Sequence, residues 1–321
     1  METIKSNYEI FNDKSLLFPT WHKIASIRTR PRRIFQITEN GYYYPITRQP
    51  ICLHKKVSDR GDDTIKWILL QAAYKFMYDI AYVEVELINK TALKIYNGSI
   101  DINLPKNVKN DMLSIVIDEA FHAYVAIDFI DQVKTKTNEE LVYSKGTVEL
   151  ELAMNKFIPK LPHEIQGIFE AICICIGENT LTKELFDMTK SDDLNPFFHT
   201  VMAYHMFDEG RHAALFRKVL TFVWNDSSEE IKLHIGALLP DFLLEYLSDN
   251  IRKEWDEKIL LHLNFSENEV KNIINDVYPK VNNSMLTRIN PVARNFIDVL
   301  TTCGVLKHQP TKNAFVESGL I

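Results

Sequence analysis

The stretch that most constrains this chain is residues 204–212, which reads Tyr-His-Met-Phe-Asp-Glu-Gly-Arg-His. Within it, His205, Glu209 and His212 are spaced i, i+4 and i+7. At about 100° per residue, these three side chains stack on one narrow stripe of a helix, two turns tall. The stretch therefore predicts a helix that points three metal-type ligands at one place.

Part of this pattern occurs a second time upstream. Residues 118–123 repeat the Asp-Glu-x-x-His-Ala of residues 208–213, so Glu119 and His122 are also spaced i and i+3. That spacing places a carboxylate and an imidazole side by side, where both can bind one ion without straining the backbone. Two such helices supply two ions, and bundles of this kind take a further Glu from each of the other two helices.

Two acids occupy core positions in the helices that precede these motifs. Glu84 continues an apolar stripe that runs from residue 65 to 80, whereas Glu86 points about 200° away and is predicted to be solvated. Glu178 continues a second stripe, and Glu170 is a weaker candidate because it points about 80° away from Glu178. The predicted ligand set is Glu84, Glu119, His122, Glu178, His205, Glu209 and His212.

Each of these residues, taken alone, has an ordinary structural explanation. A buried glutamate is usually salt-bridged, and a single histidine is usually a satisfied core residue. Seven polar groups converging inside a helical core would cost several kcal/mol each unless a cation compensated them. We therefore predict a dinuclear metal site. Mixed imidazole and carboxylate ligation suits iron, with manganese as the alternative, whereas structural zinc would favour a closed four-ligand site with cysteine.

The order of these ligands resembles that of a known family. It is similar to the di-iron N-oxygenases typified by p-aminobenzoate N-oxygenase, within the ferritin-like superfamily. Ordinary ferritin-like sites carry two histidines, and the third, supplied here by His205, marks this family. The resemblance covers residues 65–224. It implies that Glu119 and Glu209 bridge or cap the two irons and that Glu84 and Glu178 are terminal acids.

The resemblance implies an enzyme, a non-haem di-iron oxygenase in secondary metabolism. It would use O2 to oxidise an arylamine or amino-acid-like amine to a hydroxylamine, nitroso or nitro product. An external electron donor is implied, and no flavin or nicotinamide fingerprint identifies it. Two alternatives stay open: a ribonucleotide reductase-like radical protein using Tyr82, Tyr124 or Tyr204, and an iron-sequestering ferritin-like protein. Neither gives a reason for His205.

Two acids next to the ligands are expected to orient the histidines. A metal-bound histidine normally donates its other N–H to a carboxylate or carbonyl. Asp118 and Asp208 each precede a ligand Glu, and in similar di-iron proteins such an Asp reaches the histidine of the opposite motif. We predict that Asp118 pairs with His212 and that Asp208 pairs with His122. The alternative is that both are acids on the helix surface.

Substrate-binding residues are predicted only by their order in the chain. A carboxylate on the amine would favour an arginine clamp, and Arg288 and Arg294 are the best-placed candidates, with a surface role as the alternative. Lys75 is nine residues upstream of Glu84. We expect five further residues either to line an apolar pocket or to belong to the ordinary core: Phe76, Met77, Phe121, Met206 and Phe207.

The predicted fold class is all-α: a ferritin-like four-helix bundle with additional C-terminal helices and an irregular N-terminal arm. Residues 1–321 are expected to form a single di-iron oxygenase domain. Its parts are an arm at 1–60, a metal-binding bundle at 62–224 and bracing helices at 227–304. The long helices are predicted at about 62–96, 108–136, 162–190 and 196–224.

Local signals predict how these parts are joined. Asn195 followed by Pro196 is a helix start, with proline at the first helical position. Residues 137–161 fit the long crossover of a ferritin-like bundle and are expected to hold a helical turn or a brief strand around 147–152. Prolines and a glycine in the arm predict an extended segment with one short helix.

The tail carries further helix signals. Ser227 and Ser266 each precede a glutamate by three residues, which is the capping-box pattern. Pro240 predicts a kink or break, because proline removes a helical hydrogen bond. A last helix is predicted from about residue 290 to 304.

The charge composition argues against one class of function, nucleic-acid binding. The net charge of −6 and the pI near 6.0 argue against a nucleic-acid-binding protein. The basic run at residues 28–33 is an exception, and a solvated loop or internal ion pairs are favoured there over an anionic partner. A hydrophobic fraction of 46% is enough for a substantial core.

Three sequence features bear on the cellular compartment. The longest apolar run, at residues 171–176, is far shorter than the roughly 20 residues needed to span a bilayer, so no membrane segment is expected. Residues 1–11 are polar, without the apolar core of a signal peptide. The four cysteines form no C-x-x-C pair and are predicted to be reduced. We expect a cytoplasmic protein, and a homodimer is left open.

Overall fold

The computed structural model describes residues 18–36, 40–144 and 146–321. The structure is 77% helical, and its described residues contain no β-strand. The predicted all-α, ferritin-like class is therefore confirmed. Residues 1–17, which include the polar start of the predicted arm, lie outside the described residues.

The N-terminal arm is more helical than predicted. An extended segment with one short helix was expected, whereas the described part has four short helices and a 3₁₀ turn. Pro50 does not prevent helix formation, because proline is tolerated at the first helical position. The bounds are α1 Phe18–Ile24, α2 Ser26–Thr29, the 3₁₀ turn Ile46–Arg48, α3 Pro50–Leu53 and α4 Lys55–Ser58.

Four long helical rods form the bundle, close to the predicted bounds. The first rod is α5 Asp62–Tyr82, a π-helical segment Val83–Asn89 and α6 Lys90–Asn97. The second is α7 Lys106–Thr137, and a short helix, α8 Glu149–Phe157, follows it. The last two rods are α9 His163–Met188 and α10 Pro196–Asp226. As predicted, Asn195 caps α10 by accepting a hydrogen bond from the amide of Phe197.

Two apolar cores lie along the bundle, one on each side of a polar layer. The first core surrounds Phe216, and the second surrounds Phe129. In α7, apolar positions within residues 108–115 pack in the first core, and those within residues 126–133 pack in the second. The other three rods are divided in the same way. The buried glutamates and histidines of the rods therefore lie between two apolar regions.

The order of the cores along each rod gives the direction of the chain. Helices α7 and α9 both run from the first core to the second, whereas α5 and α10 run the opposite way. Parallel rods cannot be joined by a tight turn, so the chain returns along the bundle through residues 138–162. This connection contains α8, which confirms the crossover and selects the helical alternative for residues 147–152.

The tail helices cover both cores. Helices of the tail pack on the first core through residues such as Phe242 and Phe315, and on the second through residues such as Trp255 and Ile273. Their bounds are α11 Glu229–Tyr246, α12 Asn250–His262, α13 Glu267–Val277, α14 Asn283–Ile289, α15 Pro291–Thr302 and α16 Gln309–Glu317. The last of these was not predicted, because the sequence signals ended near residue 304.

The two predicted capping boxes have different outcomes. The box at Ser266 is present, with bonds in both directions between Ser266 and Glu269. The box at Ser227 is wrong, because Ser228 is the N-cap of α11 and accepts from the amide of Ile231. An apolar residue thus occupies the position where a capping box needs a Glu or Gln.

Pro240 was predicted to kink or break the helix. It does not break α11, so the prediction of a break is wrong. Proline removes one hydrogen bond of the helix. The neighbouring Leu239, Phe242 and Leu243 are buried in the first core. Packing of an apolar helical face supplies most helical stability in proteins, so it outweighs that loss.

Two predictions from the composition, internal ion pairing in the basic run and unpaired cysteines, agree with the described residues. Arg32 of the basic run forms a two-pronged ion pair with Asp128, with N···O distances of 2.9 and 2.6 Å. All four cysteines are buried and unpaired as thiols. In the described part of the chain, no helix combines the length and apolar character needed to cross a membrane.

A buried carboxylate joins the arm to the tail. Asp256 accepts hydrogen bonds from Gln49 Nε2 at 2.5 Å and from the Tyr278 hydroxyl at 2.7 Å. Burial raises the pKa of Asp256 to about 6, although both hydrogen bonds act in the opposite direction. The folded chain therefore holds this proton to a higher pH than the unfolded chain does.

We predict that Asp256→Asn makes stability less sensitive to pH. Since the folded pKa of about 6 exceeds the ordinary value of 3.8, the native chain loses stability as the pH rises through this interval. Asparagine carries no charge there. The free energy of unfolding of the variant, relative to the native chain, should rise by about 1–3 kcal/mol between pH 4 and pH 8. Urea denaturation measures it, and the exposed Asp241→Asn is the control, for which no such rise is expected.

Candidate metal centre

The structure brings all seven predicted ligand residues into the polar layer. None of them is more than 8% exposed. Each rod contributes at least one side chain, as a four-helix site requires. They are Glu84 from the π-helical segment, Glu119 and His122 from α7, Glu178 from α9, and His205, Glu209 and His212 from α10.

Glu84 has an unusual backbone setting. It is the second residue of the π-helical segment Val83–Asn89, where the first rod widens for one stretch. Such segments interrupt the regular helical period and are frequent at functional sites. The sequence predicted Glu84 from a regular helical stripe and gave no sign of the π segment.

One group of ligand atoms forms around His205. Its Nε2 lies 2.9 Å from Glu84 Oε1 and 3.2 Å from Glu209 Oε1. The ring of His122 stacks on that of His205, with centroids 4.2 Å apart. Glu84, His122, His205 and Glu209 each offer a ligand atom within 4.8 Å of the others.

A second group forms around His212. Its Nδ1 lies 2.7 Å from Glu119 Oε1 and 3.2 Å from Glu209 Oε1, and His122 Nδ1 lies 3.1 Å from Glu119 Oε2. The two groups share His122 and Glu209. Donors about 2.1 Å from one ion and at right angles to each other are about 3 Å apart. These separations therefore fit two adjacent ions.

Glu178 is placed differently from the other six predicted ligands. It belongs to neither group of converging atoms. Burial raises its pKa well above the ordinary value, and the nearby charges of Glu209 and Glu119 act in the same direction. Among the described residues, neither of its carboxylate oxygens has a hydrogen-bond partner. An uncompensated buried acid of this kind needs a cation or a proton.

Unsatisfied carboxylate oxygens are concentrated in this layer. Five such buried atoms lack a hydrogen-bond partner within the described residues: Glu84 Oε2, Glu119 Oε1, Glu178 Oε1, Glu178 Oε2 and Glu209 Oε2. Glu119 Oε1 does lie close to His212 Nδ1, but without the alignment of a hydrogen bond. Four ionised glutamates carry four negative charges, which equals the positive charge of two divalent ions. The residues present thus fit a pair of such ions.

The pKa shifts of the ligand residues also indicate a site that needs positive charge. Burial alone would lower the pKa of His122 and His212, yet neighbouring carboxylates raise both well above the ordinary value. The pKa of His205 rises to about 9, against burial and the charge of His122, because Glu84 and Glu209 adjoin it. Burial raises the pKa of Glu84 to about 7. Without metal, protons supply the positive charge, so metal binding must release protons and weaken as the pH falls.

The two predicted aspartate–histidine pairs are present. Asp208 Oδ2 lies 3.1 Å from His122 Nε2, and Asp118 Oδ2 lies 3.1 Å from His212 Nε2. Both contacts use the ring nitrogen opposite the one that faces the ligand carboxylates. This arrangement fixes the orientation of each imidazole and leaves its Nδ1 directed at the site.

Three residues that the sequence analysis missed hold these aspartates. The indole Nε1 of Trp21 donates to Asp118 at 2.8 Å, and the amide of Ser26 donates to Asp208 at 3.1 Å. Arg211 contacts both acids. Arg211 could have been found from its position three residues after Asp208. Trp21 and Ser26 come from the arm, and no local spacing signals them.

Charge and hydrogen bonding lower the pKa of Asp208 to about 2. Burial acts against this shift, but the hydrogen bond to His122 and the charges of His122 and Arg211 outweigh it. The acid is therefore ionised at any physiological pH. Its charge favours a strongly basic imidazole ligand.

The predicted substrate arginines do not reach the site. Arg288 on α14 and Arg294 on α15 are both exposed, and neither lines either of the two cavities described below. They were chosen from their order in the chain. Helix α14 buries none of its residues, and on α15 the buried face is formed by residues such as Phe296 and Leu300, while Arg294 is exposed.

A small apolar cavity reaches two of the ligands. Its volume is about 90 Å³, and its wall includes His122 and His205 together with Phe121, Tyr124 and Arg30. Phe121 was one of the five predicted pocket residues. The small cavity lies between the bundle and the arm.

A larger, more polar cavity is lined by residues close in sequence to two of the ligands. Its volume is about 230 Å³. Phe76, also predicted as a pocket residue, lines it together with Val83, which precedes Glu84, and Thr180, which follows Glu178 by two positions. Of the other predicted pocket residues, Met77 is buried in the second core, Met206 packs against it and Phe207 is 43% exposed.

Comparison with known families agrees with this geometry. Residues 81–296 match the model of the family described as P-aminobenzoate N-oxygenase AurF, and this match covers more than half of the chain. The chain belongs to this family. It is therefore an enzyme, an oxidoreductase of the di-iron N-oxygenase type, as the resemblance implied. A search of curated proteins finds no significant match.

The region matched to the p-aminobenzoate N-oxygenase family includes every predicted ligand and both aspartates. It excludes the arm, so Trp21 and Ser26 lie outside it. The contacts that hold Asp118 and Asp208 from the arm are therefore features of this chain that the family match does not describe.

We predict that Asp208→Asn weakens iron binding. The variant removes the charge that supports His122, and loss of such a partner typically costs 10–100-fold in metal affinity. The measurement is iron content per chain after gel filtration with a competing chelator. Asp241→Asn, an exposed acid on α11, is the control. Unchanged iron retention in Asp208→Asn would contradict the assigned role of this pair.

Proposed function

We propose that this enzyme uses O2 to oxidise the nitrogen of a small-molecule amine, arylamine or amino-acid-like, to a hydroxylamine, nitroso or nitro product. Membership of the N-oxygenase family supports this reaction. The observation that carries the proposal is the position of His205, buried against Glu84 and Glu209. It adds a third imidazole to the site, which neither a storage role nor a radical role requires.

In this proposal the seven side chains hold two iron ions, with manganese as the alternative metal. The donors are imidazole nitrogens and carboxylate oxygens, and neither converging group includes a cysteine. Iron accepts such donors and supplies the one-electron and O2 chemistry that amine oxidation needs. The unpartnered oxygens of Glu178 support its inclusion as a ligand.

The protein itself orients the metal ligands and excludes water from the site. Asp118 and Asp208 hold the imidazoles of His212 and His122 in one orientation. The two apolar cores exclude water from the layer, which strengthens the electrostatic interactions within it and limits side reactions of reactive oxygen species. The site is thus built to orient the ligands and to exclude solvent.

Size favours the larger cavity for the amine. An apolar cavity of about 150 Å³ is known to bind benzene. The small cavity of about 90 Å³ falls below that value, whereas the larger one, of about 230 Å³, exceeds it. The larger cavity therefore has enough volume for a substituted aromatic ring next to Val83 and Thr180.

Its charged lining supports an amine that also carries a carboxylate. Arg48 and Arg252 line this cavity, and the half-buried ion pair of Lys75 and Asp79 lies in the same wall. A guanidinium can bind a carboxylate with two parallel hydrogen bonds. These arginines take the place of Arg288 and Arg294 in the substrate proposal.

The radical alternative has less support from its three tyrosines. Tyr124 is 60% exposed, Tyr82 donates to Glu151 at 2.6 Å, and the ring of Tyr204 lies under Arg30 at 5.1 Å. None of these contacts links a tyrosine hydroxyl to a ligand residue. We therefore favour N-oxygenation.

Cellular context forms part of the same proposal. The enzyme would act in the cytoplasm in secondary metabolism, would need a separate electron donor, and would bind neither nucleic acid nor membrane. A homodimer is compatible with it.

Iron stoichiometry and products test the proposal together. We expect two irons per chain after anaerobic loading, and mass gains on an amine that correspond to added oxygen after exposure to O2. Incubation with p-aminobenzoate and a panel of amines, followed by mass spectrometry, measures the products. Far more than two irons per chain without amine oxidation would support the sequestering alternative instead. A tyrosyl radical signal in EPR without amine oxidation would support the radical alternative.

Cavity filling tests where the amine binds. Val292 lines the larger cavity and Val125 the small one, and both are partly buried. Val292→Phe should raise KM for the amine by about tenfold or more, because the added ring occupies the substrate volume. Val125→Phe is the matched control and should leave KM unchanged. The reverse pattern would assign the amine to the small cavity.

A further inference from the structure

A chain of hydrogen bonds connects the surface helix α1 to the proposed iron site. Trp21 Nε1 donates to Asp118 Oδ1 at 2.8 Å, and Asp118 Oδ2 lies 3.1 Å from His212 Nε2. Trp21 is only 7% exposed, so its indole is largely shielded from solvent in this contact. An oxidisable aromatic ring is thus joined to a proposed iron ligand through a single carboxylate.

The other aspartate does not form an equivalent connection. Asp208 contacts the backbone amide of Ser26 and the guanidinium of Arg211 on its outer side. Neither group is readily oxidised or reduced. Of these two outer connections, only the one through Asp118 ends on an aromatic ring.

The surface around Trp21 is strongly basic. Residues 22–34, which we call the basic face, contain Lys23 and four arginines but no Asp or Glu. This contrasts with the net charge of −6 for the whole chain. Arg28 lies directly over the indole, 5.6 Å from the ring centroid of Trp21. Asp128 forms an ion pair with Arg32 at the edge of this face.

Exposed apolar side chains interrupt the basic face. Ile27 is 39% exposed and Ile34 is 46% exposed, and Phe207 from α10, under Arg30, is 43% exposed. Exposed apolar residues surrounded by charges are typical of surfaces that bind another protein. The positive rim favours a partner with an acidic surface.

We propose that the basic face is the docking site for an acidic electron-carrier protein, and that Trp21 and Asp118 connect it to His212. This inference rests on the proposed function, because conversion of an amine and O2 to a hydroxylamine and water consumes two electrons and two protons. A [2Fe–2S] ferredoxin delivers one electron, so two donor molecules are oxidised while two ferric ions are reduced to the ferrous state. The donor class is thus an acidic one-electron carrier.

Electrostatic docking predicts a specific salt dependence. Association between oppositely charged surfaces slows as salt rises, because the Debye length falls to about 10 Å at 0.1 M ionic strength. Reduction by a ferredoxin should therefore slow with added salt. Reduction by dithionite, which needs no docking site, provides the comparison on the same iron centre.

The experiment measures reduction of the iron-loaded, oxidised enzyme without any amine present. The probe is a reduced plant-type [2Fe–2S] ferredoxin, mixed anaerobically in a stopped-flow instrument while the ferric absorbance is followed. In Lys23→Glu/Arg28→Glu, reduction by ferredoxin should slow by about tenfold or more at low salt. Its reduction by dithionite should match that of the native enzyme.

A matched charge change elsewhere serves as the control. Lys307 and Lys312 are exposed near the end of α10, where His308 contacts Trp224. The variant Lys307→Glu/Lys312→Glu has the same change in net charge, and we expect native reduction by ferredoxin. Equal slowing in both double variants, or no slowing in Lys23→Glu/Arg28→Glu, would overturn the docking site.

Trp21→Phe tests the connection separately from docking. This variant keeps an aromatic ring and removes the indole N–H. We expect unchanged ferredoxin affinity by calorimetric titration and, per bound iron, slower reduction by ferredoxin with native reduction by dithionite. Native reduction by ferredoxin per bound iron, or equal slowing with dithionite, would overturn the role of the tryptophan. Because no amine is present, failure of amine oxidation would leave these results standing, and the two proposals are distinguishable.

Discussion

Four carboxylates and three imidazoles share one layer between two apolar cores, and the rest of the structure depends on their compensation. Burying one such charge without a partner costs several kcal/mol, a large fraction of the net stability of a typical domain. The contacts around His122, His205 and His212 compensate part of it, and five carboxylate oxygens still lack partners in the described residues. Two divalent ions would equal the charge of the four ionised glutamates. Binding of such ions would therefore be coupled to folding of this bundle.

The arm and the tail supply residues around the ligand layer that the four rods do not. Trp21 of the arm lies in the first core, whereas Ile51 lies in the second, so the arm crosses the polar layer and covers it from outside. Where it crosses, Trp21 and Ser26 hold the two aspartates that orient the histidines. The tail contributes Arg252 to the wall of the larger cavity. The proposed sites for metal, substrate and donor thus draw on different parts of one chain, with the ligand layer between them.

Sequence reasoning found the ligands because their spacing is a local property of helices. Residues at i, i+3 and i+4 share one face wherever the helix packs, so His205, Glu209 and His212 could be identified together. The contact of Trp21 with Asp118 joins residues 97 positions apart, and no periodic pattern encodes such a pair. The cavity arginines were missed for the same reason, because they come from the arm and from α12, which tertiary packing alone brings together. Short elements such as α16 were missed because few buried residues mark them.

The π-helical segment has a consequence for the first rod as a whole. A wider turn accommodates one more residue than an α-turn does, so it changes the angular phase between α5 and α6 by about 100°. Apolar residues on both sides can therefore face inward although a uniform helix would direct one set outward. Removing a single residue from Val83–Asn89 would restore the regular pitch and rotate one half of the rod against the other.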